Sequence, residues 1–355
     1  MHMADALISP AVGGAMWAAT AGLATYAAKK VQHDIDDRKI PLMGVLGAFV
    51  FAAQMINFAI PGTGSSGHLG GGLLLAILLG PQAAFLTIAS ILTIQALFFA
   101  DGGILALGCN IFNMGFLSCF IAYPFIYKPL TGDNPSQGRL FLGSVLAAVI
   151  GLQLGAFGVV LDTLFSGISE LPFNTFVLLM QPIHLAIGLV EGLVTAAIVM
   201  FILKESPEIL RKTAQGQPFG NIPIKGVFVT LLIAAILTGG ALSWFASANP
   251  DGLEWSIAKV AGEDELKAPE GIHSLFAEIQ EKTAFLPDYN FKQPGKSAAT
   301  ETKEATAEAK GAATEEKEAW PAVDTGTSFA GILGSLLTLA LAFSIGKGLR
   351  LLAKH

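Results

Sequence analysis

Residues 140–164, LFLGSVLAAVIGLQLGAFGVVLDTL, form an apolar run without a single lysine or arginine. A bilayer-crossing helix needs ~20 such residues, so this stretch predicts a transmembrane helix. It decides the fold class because the chain repeats it. Toward the C-terminus, runs of the same kind occupy 181–204, 226–247 and 328–347; toward the N-terminus they occupy 104–127, 82–99, 41–60 and 10–28. A shorter run, 69–80, is too brief to span, and is viable only where neighbouring helices shield its backbone. Together they predict an all-α, polytopic membrane helix bundle of about nine membrane segments, one of them short.

Composition agrees. Hydrophobic residues make up 53% and charged residues 14% of the 355 positions, and the mean hydropathy is +0.61. Soluble domains carry roughly 25% charged residues, so this chain has about half their solvating surface. An ordinary soluble enzyme, a nucleic-acid binder and a disordered scaffold are excluded on that ground.

Lysine and arginine set the expected orientation. Before residue 250 they fall in three places only: Lys29 to Lys39, Lys128 to Arg139, and Lys204 to Lys225. With nine alternating segments these clusters share one side with Lys347, Arg350 and Lys354 of the tail. That side is expected to be cytoplasmic, with the N-terminus outside and the C-terminus inside a prokaryotic inner membrane. The leader MHMADALISP has no basic residue, and Lys29-Lys30 follow the first apolar run instead of preceding it. A signal peptide has the opposite order, so an uncleaved N-out helix beginning at Met1 is expected.

The net charge of -6 is unevenly spread. Residues 250–327 hold 16 of the 27 acidic and 8 of the 21 basic side chains, a net of -8, which leaves +2 elsewhere. Within this loop, 296–320 is low-complexity Ala, Glu, Lys and Thr, expected to be a flexible or weakly helical linker. The organisation read from these shifts is a membrane domain over 1–225 and an appended module over 226–355, two membrane helices around an acidic outer loop at 248–327.

Polar groups in membrane segments are expensive, so each asks for a partner or a task. At the terminus MHMAD, the free amine of Met1, the backbone nitrogen of His2 and its imidazole can chelate one ion through fused small rings. That chelation needs a deprotonated amide, which Ni(II) and Cu(II) stabilise in a tetragonal nitrogen field, and it leaves one in-plane position open. Asp5 lies close by. In NFAIPGTGSSGHLGGGLL, residues 57–74, His68 ends a Gly- and Ser-rich loop on the same side and is either structural or the fourth nitrogen. In QALFFADGGILALGCNIFNMG, residues 95–115, Asp101 occupies a sharp turn before Asn110 and Asn113. These three are packing groups, a shell that orients metal-bound histidines, or a carboxylate stop for an arriving cation. His184 and Glu191, seven residues apart on one helix, form either a buried polar network or part of a permeation path. His33, His273 and His355 lie in solvent-side stretches. Cys109 and Cys119 read as small apolar packing residues. The first helix places small residues four apart, Gly14 with Ala18 and Ala18 with Gly22, a face for helix packing or for another membrane subunit. The chain lacks a G-x-x-x-x-G-K-[ST] loop, an H-E-x-x-H pair and a G-x-S-x-G elbow, so it carries none of the chemistry of a P-loop ATPase, a zinc protease or a serine hydrolase.

Four motifs in order, MHMADALISP, SGHLGGGLLLAILLGP, QALFFADGGILALGCNIFNMG and HLAIGLVEGLVT, resemble the CbiM/NikM substrate-binding subunit of energy-coupling factor transporters for cobalt and nickel. NPDGLEWSIAKVAG, residues 249–262, resembles the companion PDGLE subunit of the CbiN/NikN type, here fused at the C-terminus. The resemblance implies a metal site made by Met1, His2 and His68, with Ni(II) or Co(II) as the transported ion and no resident cofactor. It also implies partners: a membrane coupling subunit of the CbiQ/NikQ type and ATPases of the CbiO/NikO type, with no nucleic acid involved. Two other readings remain at this point, an ATP-independent secondary carrier using Asp101, His184 and Glu191 as relays, and a membrane sensor that binds metal without moving it.

Overall fold

A computed structural model describes residues 1–34, 37–132, 135–262, 266, 268–292 and 320–353. His355 and nearly all of the low-complexity stretch 296–320 lie outside the described residues.

The chain is a helical bundle. After a 3-10 turn at Asp5–Leu7 come α1 (Pro10–Asp34), α2 (Lys39–Gln54), α3 (Gly72–Leu79), α4 (Pro81–Phe98) and α5 (Leu107–Thr131). Then follow α6 (Gln137–Ser166), α7 (Phe173–Glu205), α8 (Pro207–Ala214), α9 (Lys225–Gly240), α10 (Gly252–Ala261), α11 (Ile272–Thr283) and α12 (Thr325–Leu352). The only sheet among the described residues is an antiparallel pair, β1 (Phe58–Ile60) with β2 (Ser65–Gly67). Five helices, α4, α5, α6, α7 and α12, are long and apolar enough to cross a bilayer, while α2 and α9 are apolar but shorter. Large apolar side chains on α5, α6 and α7 face outward, with Phe125, Phe165 and Leu178 about 70% exposed. In water such a surface would be a liability; in lipid it is the solvated face.

Local chemistry sets the helix ends. Ser136 caps α6 by accepting the Arg139 N–H, and Gly167 closes it at φ 61°. Pro81 opens α4 where a missing N–H costs nothing, directly after Gly80 at φ 82°. In α5 the stretch Phe112–Tyr127 is wound in wide i→i+5 turns, with Pro124 inside it.

Two departures from the sequence reading concern the 55–71 end of the bundle and what covers it, the early end of the 41–60 segment and the burial of His273, while the short α3 is shielded as expected. The segment expected over 41–60 ends at Gln54, and the rest forms the β1–β2 hairpin. The eight residues of α3 are all buried; at 1.5 Å per residue they reach ~12 Å, less than half a bilayer core. Part of the loop 248–327 is ordered: α10 and α11 pack over the bundle end, and His273, expected in a solvent-side stretch, is 3% exposed and donates its Nε2–H to Ile8 O at 2.9 Å. The cause is tertiary. α11 lies across the N-terminal segment, which carries too few partners of its own.

The two C-terminal helices are built into the bundle. α12 packs along α2 and α9. Its approach is set by glycine: a Cβ on Gly331 would meet the Gly239 backbone, and one on Gly334 would overlap the Phe51 ring. At the opposite end the basic segments gather, with Arg350 Nε 2.9 Å from Asp37 Oδ1 and Arg38 Nη1 donating to Ile222 O at 2.9 Å. Gly334→Leu is therefore expected to destabilise the bundle by about 1–3 kcal/mol, read as a lower thermal unfolding midpoint in detergent. Gly348→Ala, with nothing within 4 Å of the added carbon, should leave that midpoint unlowered.

Candidate metal centre

Residues 1–3 thread into the bundle as an extended strand without a strand partner. Met3 N–H donates to Asn110 Oδ1 at 2.8 Å, Asn110 Nδ2 donates back to Met3 O at 3.2 Å, and Gly103 N–H donates to the same carbonyl at 2.9 Å. Asp5 Oδ1 accepts the Ala106 N–H at 2.9 Å, which ties the next turn to the same loop. Gly103 must be glycine, because a Cβ there would occupy the place of the Asp5 carboxylate.

This seating puts the His2 and His68 rings face to face, their centroids 5.0 Å apart and their planes 22° from parallel. A chain of amides reaches the His2 ring. Gln54 Nε2 donates to Gly70 O at 2.8 Å, Gln95 Nε2 donates to Gln54 Oε1 at 2.9 Å, and Gln95 Oε1 lies 3.2 Å from His2 Nε2. With its own donor committed to Gln54, Gln95 presents an acceptor to Nε2, and a proton held there is the arrangement that leaves the Nδ1 lone pair to a metal. Nδ1 itself faces a second acceptor, Asp101 Oδ1 at 3.3 Å. Asp101 is aimed there by a turn in which Ala100 and Gly102 both have positive φ, and Tyr289 donates its phenol to Asp101 Oδ2 at 2.5 Å. Burial, with the Asp101 charge beside it, holds the Tyr289 phenol well above its usual range, so it remains a donor. His68 Nδ1 contacts Leu69 O at 3.1 Å; a carbonyl only accepts, so the proton is on Nδ1 and Nε2 is free.

The segment carrying His68 has irregular backbone inside a helical bundle, and Glu191 supplies its acceptors. Gly70 N–H donates to Oε2 at 2.7 Å and Gly71 N–H to Oε1 at 3.1 Å. Gly71 sits at φ 76°, and a Cβ on Gly67 would collide with Ile187. His184, two turns from Glu191 on the same face of α7, donates Nδ1–H to Met180 O at 2.7 Å, while its buried Nε2 has no hydrogen-bond partner. It lines a small cavity together with Met1, His68 and Asp251. The terminal amine itself lies 3.1 Å from Asp251 Oδ2.

Of the residues singled out in the sequence, Met1, His2, His68 and Asp101 therefore meet directly. Asp5, Asn110 and Glu191 hold the backbone that carries them, and His184 shares their cavity. Asn113 is elsewhere: its Nδ2 donates to Asp162 Oδ2 at 2.8 Å. Gln54, Gln95, Asp251 and Tyr289 join the site without having been anticipated. Two of them carried a legible signal, since Gln54 and Gln95 are strongly polar residues in apolar helices and are 5% and 0% exposed. Among the described residues, no three His, Cys, Asp or Glu side chains converge as a metal cage. What does come together is the chain terminus and the stacked imidazoles of His2 and His68.

Desolvation, then repulsion from the terminal ammonium and from His2, pushes His68 down to about 3. Burial also lowers His2, opposed by Asp101. Burial would raise the Asp251 carboxyl, but the terminal ammonium, His68 and the hydrogen bonds from the Glu254 N–H and the amine together outweigh it and hold the group below the usual carboxylate range. At neutral pH both imidazoles are thus unprotonated, the form that can bind a metal.

The fold is that of a polytopic membrane helix bundle, with the terminal amine and two imidazoles gathered at one end. The chain belongs to the family described as the cobalt uptake substrate-specific transmembrane region, CbiM, which it matches over residues 2–209; residues 225–351 match the PDGLE domain. It is 30% identical to the fused nickel transport protein NikMN of Rhodobacter capsulatus, over 81% of this chain and 88% of that one. It is 29% identical to the cobalt transport protein CbiM of Geobacter sulfurreducens, over 74% and 78%. Two crystal structures of a transition metal transporter, one of them truncated, superpose with a TM-score of 0.52 each. Their sequence identities are 32% and 33%; they cover 58% and 60% of this chain, and 99% and 97% of their own chains is matched.

Because the shift of His68 is downward, its neutral form persists below the ordinary imidazole range of ~6.5. In metal-free protein, its 15N ring resonances should keep the neutral pattern as pH falls from 7 to 5; an imidazolium pattern within that interval would contradict the burial of the ring.

Proposed function

We propose that the chain is the substrate-binding subunit of an energy-coupling factor transporter, capturing Ni(II) or Co(II) outside the cell. The ion would be held by the Met1 amine, the His2 backbone nitrogen, His2 Nδ1 and His68 Nε2. The observation that carries this reading is the stacked His2–His68 pair beside the terminal amine, with Gln95 Oε1 at His2 Nε2 and Leu69 O at His68 Nδ1. Four nitrogens with one deprotonated amide suit a tetragonal ion, which favours Ni(II) over Co(II).

The remaining groups take roles that fit this arrangement. Asp101 presents a carboxylate beside His2 Nδ1 and offers an arriving cation a first oxygen contact. Asn110, Asp5 and Glu191 keep the two ligand-bearing segments in register. His184 offers its Nε2 lone pair to the same cavity and is the candidate first step of a path inward, and Asn113 belongs to a separate contact with Asp162. The metal end faces the extracytoplasmic side in this reading, because the lysine and arginine clusters collect at the other end. Membrane domain 1–225 carries the ligands, and module 226–355 covers them. The exposed small-residue face of α1 is the docking surface for the coupling subunit, and separate ATPases supply the energy.

Adding one or two residues before Met1 removes the terminal amine from its place and is expected to abolish Ni(II) binding. His68→Ala opens an in-plane position and should weaken it by at least tenfold. Both are read by titrating detergent-solubilised protein with nickel chloride and following the d–d absorption; retention of a four-nitrogen band after the extension sinks the ligand set. Coupling to ATP is tested in cells. Nickel accumulation should require co-expressed coupling and ATPase subunits, and accumulation by this chain alone would establish a secondary carrier instead.

A further inference from the structure

The sequence Asn249–Glu254, NPDGLE, lies between the two segments that carry the proposed ligands and is bonded to both. On one side is the His68 hairpin. Ser66 N–H donates to Pro250 O at 2.8 Å, and Ser66 Oγ contacts Asn249 O at 2.7 Å and Pro250 O at 3.2 Å. Further along, Trp255 Nε1 donates to Thr63 O at 3.0 Å. On the other side is the chain terminus, whose amine donates to Asp251 Oδ2 at 3.1 Å.

The Asp251 carboxylate has little freedom to move. Its Oδ1 accepts the N–H groups of Leu253 at 2.7 Å and Glu254 at 2.9 Å, while Glu254 Oε2 accepts the Asp251 N–H at 3.0 Å. This reciprocal cap opens α10 and leaves Oδ2 pointing at the amine. Depth is set by the next residue. A Cβ on Gly252 would stand 2.6 Å from Ile183 Cγ2 and 3.2 Å from His184 Cε1, so only glycine lets the turn sit against α7.

We infer that Asp251 is a positioning residue for the metal ion: it orients the terminal amine and, through the Ser66 contacts of the same turn, sets the distance between that amine and His68. The inference rests on the ligand set proposed above. In that ligand set the amine is a terminal group, and a hydrogen-bond partner is what fixes its direction. A metal-bound amine keeps two N–H bonds, and one of them can still donate to Oδ2, so the Asp251 contact outlasts the arrival of the ion. Asp251 is not placed as a ligand. Its oxygen takes a hydrogen from the amine, on the side away from the lone pair that the ion would use.

The test uses full-length protein in detergent and nickel chloride as the only metal. Asp251→Ala removes the acceptor and is expected to weaken Ni(II) binding by about tenfold or more, the usual effect of losing an orienting partner of a ligand. The wavelength of the four-nitrogen band should stay where it is, since all four donors remain. Asp251→Asn keeps a neutral acceptor in the same place and should bind within about threefold of the unaltered protein, a rescue that general loss of structure does not show. Gly252→Val keeps the carboxylate but forces the turn off α7, and should weaken binding as Asp251→Ala does. Three results overturn the inference: Asp251→Ala binding like the unaltered protein; Asp251→Asn as weak as Asp251→Ala; or a displaced band in Asp251→Ala, which would make the carboxylate a ligand. The N-terminal extension separates the two levels. If the extension abolishes binding while Asp251→Ala does not weaken it, the ligand set stands and the positioning role falls. If the extension leaves binding intact, the ligand set falls and takes the positioning role with it.

Discussion

The backbone of residues 68–71 runs without regular structure through the interior of a helical bundle, and the rest of the site depends on making that tolerable. In such surroundings an unmade backbone hydrogen bond costs about 1–3 kcal/mol. Glu191 receives two of these N–H groups and Gln54 satisfies the Gly70 carbonyl. Once those bonds are made, His68 has a fixed place against α7 and α3 can begin at Gly72. A carboxylate in an apolar helix is costly on its own; here its cost is offset because it replaces hydrogen bonds that the missing helical turn would have supplied.

The N-terminal strand is the counterpart of this segment. It comes from the opposite end of the chain, and the bundle treats it as a ligand, gripping it through Asn110, Gly103 and Ala106. The Gln95–Gln54 pair links the two directly, running from the His2 ring to the Gly70 carbonyl. One amide chain therefore reaches both the His2 ring and the loop that bears His68. Such coupling means that neither imidazole is placed independently of the other.

The C-terminal part of the chain enters the same construction. α9 and α12 pack on α2 in place of lying beside the bundle as an appendage. The segment between them fastens to the metal end at several points: Gln280 donates to Ala96 O and Gly102 O at 2.8 Å each, and Asp288 N–H donates to Phe99 O at 2.9 Å. Tyr289 and Asp251 then place a phenol and a carboxylate at the donors themselves. The acidic loop is more than a diffuse negative charge, because at least one of its carboxylates has a specific address.

Much was legible in the residues alone. Apolar runs longer than a bilayer core can only be helices, and the grouping of lysine and arginine predicts one common end, where Arg38, Lys39, Lys212 and Arg350 do collect. The chelating capacity proposed for positions 1 and 2 is read from the residues too, because a terminal His-containing dipeptide has it built into its covalent structure. What the residues could not disclose was proximity. Asp251 stands in the NPDGLE motif, but nothing local says what it touches; its partner is 250 positions away. The same holds for Tyr289, for the burial of His273, and for the split between Asn110, which holds the terminal strand, and Asn113, which does not. Sequence determines which groups exist and which segments must be helical, since these follow from covalent chemistry and transfer free energy. Tertiary packing alone decides which of those groups meet, because glycine contacts at Gly67, Gly103 and Gly252 set how closely distant segments approach.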